Sequence, residues 1–143
     1  MSMASQSPRT AEPVSDYSLS TRDQAPDFMA EYPGFGEMRW FTEALGCEQV
    51  SFSWRSMPPG TGGRGSYGHR HPGQEEVYLV LSGTVTFKIG DEIFGAGPLT
   101  AVRVSGDAFR SLHNDADTDA ELVILSTRLD DPPSEKQEDF WPE

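Results

Sequence analysis

From Val50 onward the chain is written in a period of two. In "VSFSWRSM", Val50, Phe52 and Trp54 alternate with Ser51, Ser53 and Arg55. An extended chain sends successive side chains to opposite faces, so this spacing predicts a half-buried strand whose apolar face carries the two aromatics. "EVYLVL" (76–81) is almost wholly apolar and predicts a strand covered on both faces. "TVTFKI" (84–89) alternates again, with Val85, Phe87 and Ile89 inward. "EIFG" (92–95), "TAVRVS" (100–105), "FRSLHN" (109–114) and "AELVILST" (120–127) predict further short strands.

Turn chemistry separates these runs. Ser82-Gly83, Gly90-Asp91, "GDA" (106–108) and "DADTD" (115–119) break the alternation. "PPGTGGRGSYG" (58–68) is too rich in Pro and Gly to hold a ladder and reads as a loop. A 3.6-residue period occurs once, in "GEMRWFTEALG" (36–46), where Met38, Phe41 and Leu45 fall at i, i+3 and i+7 ahead of Gly46; one short helix is expected there. Many short strands with close turns predict an all-β sandwich or barrel. No helix-length segments lie between them, which excludes a parallel βαβ sheet.

Composition narrows the context. With 143 residues the chain fits one domain. Residues 1–35 are rich in Ser, Pro, Thr and Asp and read as an arm with little regular structure. Residues 36–129 hold the strands. Residues 130–143 carry six acids against Lys136 alone, yet finish on Phe140-Trp141-Pro142, an aromatic end expected to dock on the barrel or on a partner subunit. A formal net charge of −12 argues against nucleic acid and anionic membranes as partners. There is neither an apolar span of membrane length nor an apolar leader core. The single Cys47 excludes an internal disulfide and reads as a structural thiol, so the expected location is the cytoplasm.

The chemistry is concentrated in "GHRHPGQEEVYLVLSG" (68–83). His69 and His71 are two of only three histidines and, one residue apart, present both imidazoles on one strand face. Glu76 opens the next strand and returns to that face across a short loop. Two neutral imidazoles and a carboxylate form a ligand set for Zn, Fe(II), Mn, Ni or Cu.

The wider spacing, Gly63-x5-His69-x-His71-x4-Glu76-x6-Gly83, resembles the first motif of the cupin superfamily at every defined position. The resemblance implies an all-β fold, a double-stranded β-helix or jelly-roll barrel, with His69, His71 and Glu76 holding a divalent metal inside it. It also implies a homodimer. The family's second motif, P-x-G-x2-H-x3-N, is matched only in part. Asn114 stands at its closing Asn, but Ser105 and Asp107 replace the Pro and Gly, and Arg110 replaces the His that is the family's fourth ligand. A guanidinium cannot ligate a metal. Arg110 is therefore expected either to pair with Glu76 and leave the site metal-free, or to bind the anionic group of a substrate. Alternation turns His113 away from the cavity, as a surface residue. Tyr78 shares the face of Glu76, and its hydroxyl is a candidate catalytic donor beside Arg110. Glu75 points the other way, as a solvated acid or a partner for Arg70.

Two functions follow. The first is a metal-dependent enzyme of isomerase or oxygenase type, acting on a small anionic metabolite that Arg110 orients. The second is a non-catalytic small-molecule binding or sensing module, with or without metal.

Overall fold

The computed structural model describes residues 16–143. Ten strands form: β1 Met38–Trp40, β2 Val50–Met57, β3 Ser66–Arg70, β4 Glu76–Ser82, β5 Val85–Ile89, β6 Glu92–Ala96, β7 Ala101–Val104, β8 Arg110–His113, β9 Ala120–Thr127 and β10 Glu135–Trp141. They make two five-stranded sheets, β1-β2-β9-β4-β7 and β10-β3-β8-β5-β6, with every pairing antiparallel. This is the expected jelly-roll barrel.

Two elements differ from the sequence reading. The helix α1 covers only Phe41–Leu45, because Met38–Trp40 pairs with β2 as a strand; Gly46 ends the helix in the left-handed region at φ 68°. The loop expected to reach Gly68 stops earlier, since Ser66 already begins β3 against β10.

The strand order inside the barrel follows from register. Across β2, β9 and β4, Ser51, Ser126 and Glu76 lie in one row, Ser53, Ile124 and Tyr78 in the next, and Arg55, Leu122 and Val80 in a third. Met57 and Ala120 follow, both fully buried. One end of the interior is therefore an apolar core, closed by Val85 and Phe87. The other is polar. Along a single inward face, side chains change from charged to apolar within about four residues.

β2 is the clearest departure from its pattern. The Ser51-Ser53-Arg55 face turns into the barrel and the Phe52-Trp54 face turns out. The outer face is covered locally: Phe41 of α1 stacks on Phe52 with ring centroids 5.2 Å apart, and Arg22 lies over Trp54 at 5.9 Å. The segment before β1 supplies the Arg22 part of that cover and α1 the rest. Residues 16–35 contain one short 3-10 turn, Arg22–Gln24, and Asp27 bridges to Arg39. The first 15 residues of the expected arm lie outside the described residues.

The acidic end of the chain forms β10 on β3, and Phe140 and Trp141 are buried on the protein's own barrel. Gly68 of β3 permits this. A Cβ there would come within 2.4 Å of the Phe140 ring. No helix among the described residues is long and apolar enough to cross a membrane.

Candidate metal centre and cavity

His69 stands near the end of β3 and His71 just past it, in one sheet; Glu76 opens β4 in the other. The turn between them is tight, with the Gln74 N–H donating to the His71 carbonyl at 2.9 Å. Gly106 packs against it so closely that a Cβ would stand 2.5 Å from the His71 oxygen. The displaced Gly of the second motif thus lets two loops meet where the sheets join.

The imidazoles of His69 and His71 are 4.9 Å apart between ring centroids, at 66°. One donor atom from each of His69, His71 and Glu76 lies within 4.8 Å of the other two. His71 Nε2 and Glu76 Oε2 are 3.8 Å apart. Ligands about 2.1 Å from a common ion stand roughly 3–4 Å from each other, so the His71–Glu76 pair is at ligand spacing and the three form a group that could hold a divalent metal.

The hydrogen bonds around them fit it as well. His71 Nδ1 is 3.0 Å from the Pro133 carbonyl. A carbonyl only accepts, so Nδ1 carries a proton, and in the neutral ring Nε2 is the nitrogen with a free lone pair. Glu76 is divided between its two oxygens. Oε1 accepts from the Tyr78 hydroxyl at 2.5 Å and from Arg110 Nη2 at 2.9 Å, while Oε2 is the oxygen nearer His71.

Arg110 lies directly across from His69 in the β3–β8 register, and its side chain has 0% exposure. Besides Glu76 it donates to the Ala108 carbonyl at 2.9 Å, the Ser105 carbonyl at 3.4 Å and the Tyr78 hydroxyl at 3.3 Å. It does not line the cavity, whereas Tyr78 does. Glu76, Tyr78 and Arg110 form one closed unit. Burial by itself would raise the Glu76 pKa, but Tyr78, Arg110 and His71 together hold the carboxyl below its ordinary value. Burial and the neighbouring Glu76 charge push the Tyr78 hydroxyl well up, so it remains a donor.

Of the neighbouring residues, His113 does otherwise than expected, while Glu75 is the exposed acid the sequence suggested. His113 is buried, not exposed; its Nδ1 accepts from the Arg64 N–H at 3.2 Å and its ring packs on Trp141 at 6.0 Å, away from the metal ligands. Leu112, its neighbour, lines the cavity instead. Glu75 pairs with Arg103, while Arg70 takes Glu135 at 2.6 Å. Asn114, the closing residue of the second motif, is fully buried and ties Met57 to Thr118, donating to both carbonyls at 2.8 Å.

The cavity beside the ligands measures about 330 Å³. Ser51, Ser53 and Arg55 enter it from β2, Gln74 and Ser126 from the barrel end, and Phe28, Met38 and Trp40 from the N-terminal segment. None of these was singled out from the sequence. The available signal was the polar half of "VSFSWRSM", which reads as a solvent face until something is known to cover the other.

The imidazole of His69 is pushed down to about 4, first by burial and then by its neighbours His71 and Arg110. It is therefore neutral and ready to ligate at pH 7 without losing a proton. The same shift sets an acid limit on the metal-free protein. Its unfolded state takes a proton near the ordinary 6.5, its folded state only near 4, so stability falls as pH drops through that window and is unaffected above it. The expected loss is about 3 kcal/mol across the window. Urea unfolding of metal-free wild type and His69→Gln at pH 7 and 4.5 measures it; parallel pH slopes for the two proteins would refute it.

The family model described as "Cupin domain" matches residues 53–126. No curated protein matches the chain. Among solved structures, the polyketide cyclase RemF from Streptomyces resistomycificus superimposes with a TM-score of 0.66 at 15% identity, over 85% of this chain and 84% of that one. A sugar phosphate isomerase from a cupin superfamily, from Silicibacter pomeroyi, gives 0.64 at 18% identity over 78% and 71%. A cupin protein from Bacteroides fragilis gives 0.62 at 17% identity over 82% and 88%. Likeness at this level of identity speaks for the fold alone.

Proposed function

Because this chain belongs to the cupin family, we propose that it is a metal-dependent enzyme of isomerase or oxygenase type whose barrel cavity takes a small anionic metabolite. His69, His71 and Glu76 would hold a divalent transition metal, Zn, Fe, Mn or Ni. The observation that carries this reading is the division of labour around the ligands. The Pro133 carbonyl sets the His71 tautomer, and Tyr78 with Arg110 occupies Glu76 Oε1, so His71 Nε2 and Glu76 Oε2 remain for an ion.

A bound metal would supply Lewis acidity, or an oxygen-binding centre if it is Fe(II). The chain's own residues do the rest. Arg110, entirely buried, acts as a positioning residue that keeps Glu76 ionised and oriented. Tyr78 lines the cavity and holds a proton on the Glu76 side, which makes it the nearer candidate for contact with a bound molecule. The structural neighbours named for a sugar phosphate isomerase and a polyketide cyclase support a small-molecule substrate. A cytoplasmic homodimer, without nucleic acid or membrane as partner, completes the reading; the net charge of −12 and the exposed Ile93 and Phe94 on β6 support it.

One observation favours a second reading, a non-catalytic and metal-free binding module: the Arg110–Glu76 pair already neutralises the carboxylate without an ion. Metal analysis separates the two. Reconstituted wild type is expected to hold one divalent ion per chain, and His71→Ala is expected to weaken uptake at least about tenfold, the usual scale for losing part of a metal site. Occupancy that stays substoichiometric after reconstitution overturns the metalloenzyme reading.

A further inference from the structure

The cation left over in this barrel is Arg55, not Arg110. It sits on the inward face of β2, in the row of Leu122 and Val80, two rows deeper than Glu76. It lines the main cavity and also an adjoining one of about 220 Å³, together with His69 and Leu112 in both. Among the described residues it makes no ion pair and no side-chain hydrogen bond, and its Nε is shielded from solvent with no partner. Every carboxylate near the cavity is otherwise engaged: Glu76 by Arg110 and Tyr78, Glu75 by Arg103 outside.

A guanidinium remains protonated wherever it is placed. Burying it without a counter-charge is strongly unfavourable, so proteins normally pair such a group. Burial pushes the Arg55 pKa down, and only the Tyr78 and Tyr67 hydroxyls oppose it, with no acid contributing. The Nη groups keep some exposure to the cavity, so a counter-charge can reach them from outside the chain. We infer that Arg55 is the anion-recognition residue of the cavity and takes the carboxylate of a small monocarboxylic acid with an apolar body. The fork of a guanidinium matches a carboxylate in two parallel bonds, and Ser53, beside it on the same face, adds a hydroxyl. One guanidinium balances one charge, which favours a carboxylate over a phosphate dianion. Phe28, Met38, Trp40 and Ile124 on the remaining walls would cover the apolar body.

This assignment rests on reading the cavity as a small-molecule site, and its test keeps the two apart. Benzoate, its neutral counterpart benzamide, and phenyl phosphate are titrated into metal-free wild type, followed by the fluorescence of Trp40 and by thermal shift. Benzoate is expected to bind, and benzamide about 10- to 100-fold more weakly, the scale of a lost charge-assisted pair. Arg55→Met is expected to lose benzoate by a similar factor and Arg55→Lys by less. Arg55→Met, relieved of an unbalanced charge, is also expected to melt higher than wild type without ligand, an outcome opposite to that of a residue serving only structure. Its Co(II) uptake, read by absorbance, is expected to be no weaker. Equal binding of benzoate by wild type and Arg55→Met overturns the assignment and leaves the cavity reading intact. Preference for phenyl phosphate over benzoate by more than about tenfold overturns the carboxylate class. If none of the three probes binds wild type, the cavity reading falls and the assignment with it. Benzoate selectivity without Co(II) uptake supports the assignment and removes the metal.

Discussion

Glu76→Gln is expected to destabilise the protein by about 3–5 kcal/mol, and added metal is not expected to restore it. The substitution keeps the shape of the side chain and removes its charge. Arg110, with 0% exposure, would then be a buried cation whose remaining partners are two backbone carbonyls and the Tyr78 hydroxyl. None of these is an anion. The reverse substitution, Arg110→Met, is expected to cost less. Glu76 keeps 14% exposure and its bond from Tyr78, and an ion on the Oε2 side can supply the missing positive charge. Denaturant titrations of both variants, with and without Zn(II), test the asymmetry. Recovery of Glu76→Gln by metal, or identical behaviour of the two variants, would show that the pair is not the electrostatic unit described.

Trp141→Ala is expected to be about as costly, roughly 3–5 kcal/mol, because a large buried aromatic leaves a void that β10 cannot close. Trp141 is 1% exposed, with Arg64 over its ring at 4.8 Å and His113 against its edge. Its Nε1 has no hydrogen-bond partner among the described residues, so Trp141→Phe gives up volume but no polar contact and is expected to recover more than half of the loss. The effect reaches the metal ligands. β10 pairs with β3 at Lys136–His69, and Pro133, just ahead of β10, fixes the His71 tautomer. Loosened packing at Trp141 is therefore expected to weaken Co(II) uptake as well as lower the melting temperature. A destabilised variant with unchanged metal affinity would show that the aromatic end serves only the barrel.

The parts of the site that the sequence revealed are those whose geometry is local. His69 and His71 share a face because they are two residues apart, and Glu76 follows across a turn too short to carry it elsewhere. Most of the strands were legible for the same reason, since alternation and Gly turns are properties of neighbouring residues; β10, in the acidic tail, was not. Met38 escaped this logic because its spacing to Phe41 and Leu45 suited a helix, while pairing with β2 made it a strand. Tertiary hydrogen bonds outweigh a weak local period.

Arg110 shows where local reading stops. Its position in the second motif identified it as the replacement for a ligand and offered Glu76 as a partner, but did not decide between that pair and a bound anion. Register decided that: β8 sets Arg110 opposite His69, and the two sheets close so that its guanidinium reaches Glu76 Oε1 and no solvent. The candidate ligand group His69, His71 and Glu76 and the barrel class were thus legible in the sequence alone. Which face of β2 turns inward, and hence that Arg55 stands unpaired at the depth of the cavity, was decided only by the tertiary structure. Alternation defines two faces of a strand without saying which is the interior. That choice depends on what covers each face, and here Phe41 and the segment carrying Arg22 cover Phe52 and Trp54 and send the polar face in.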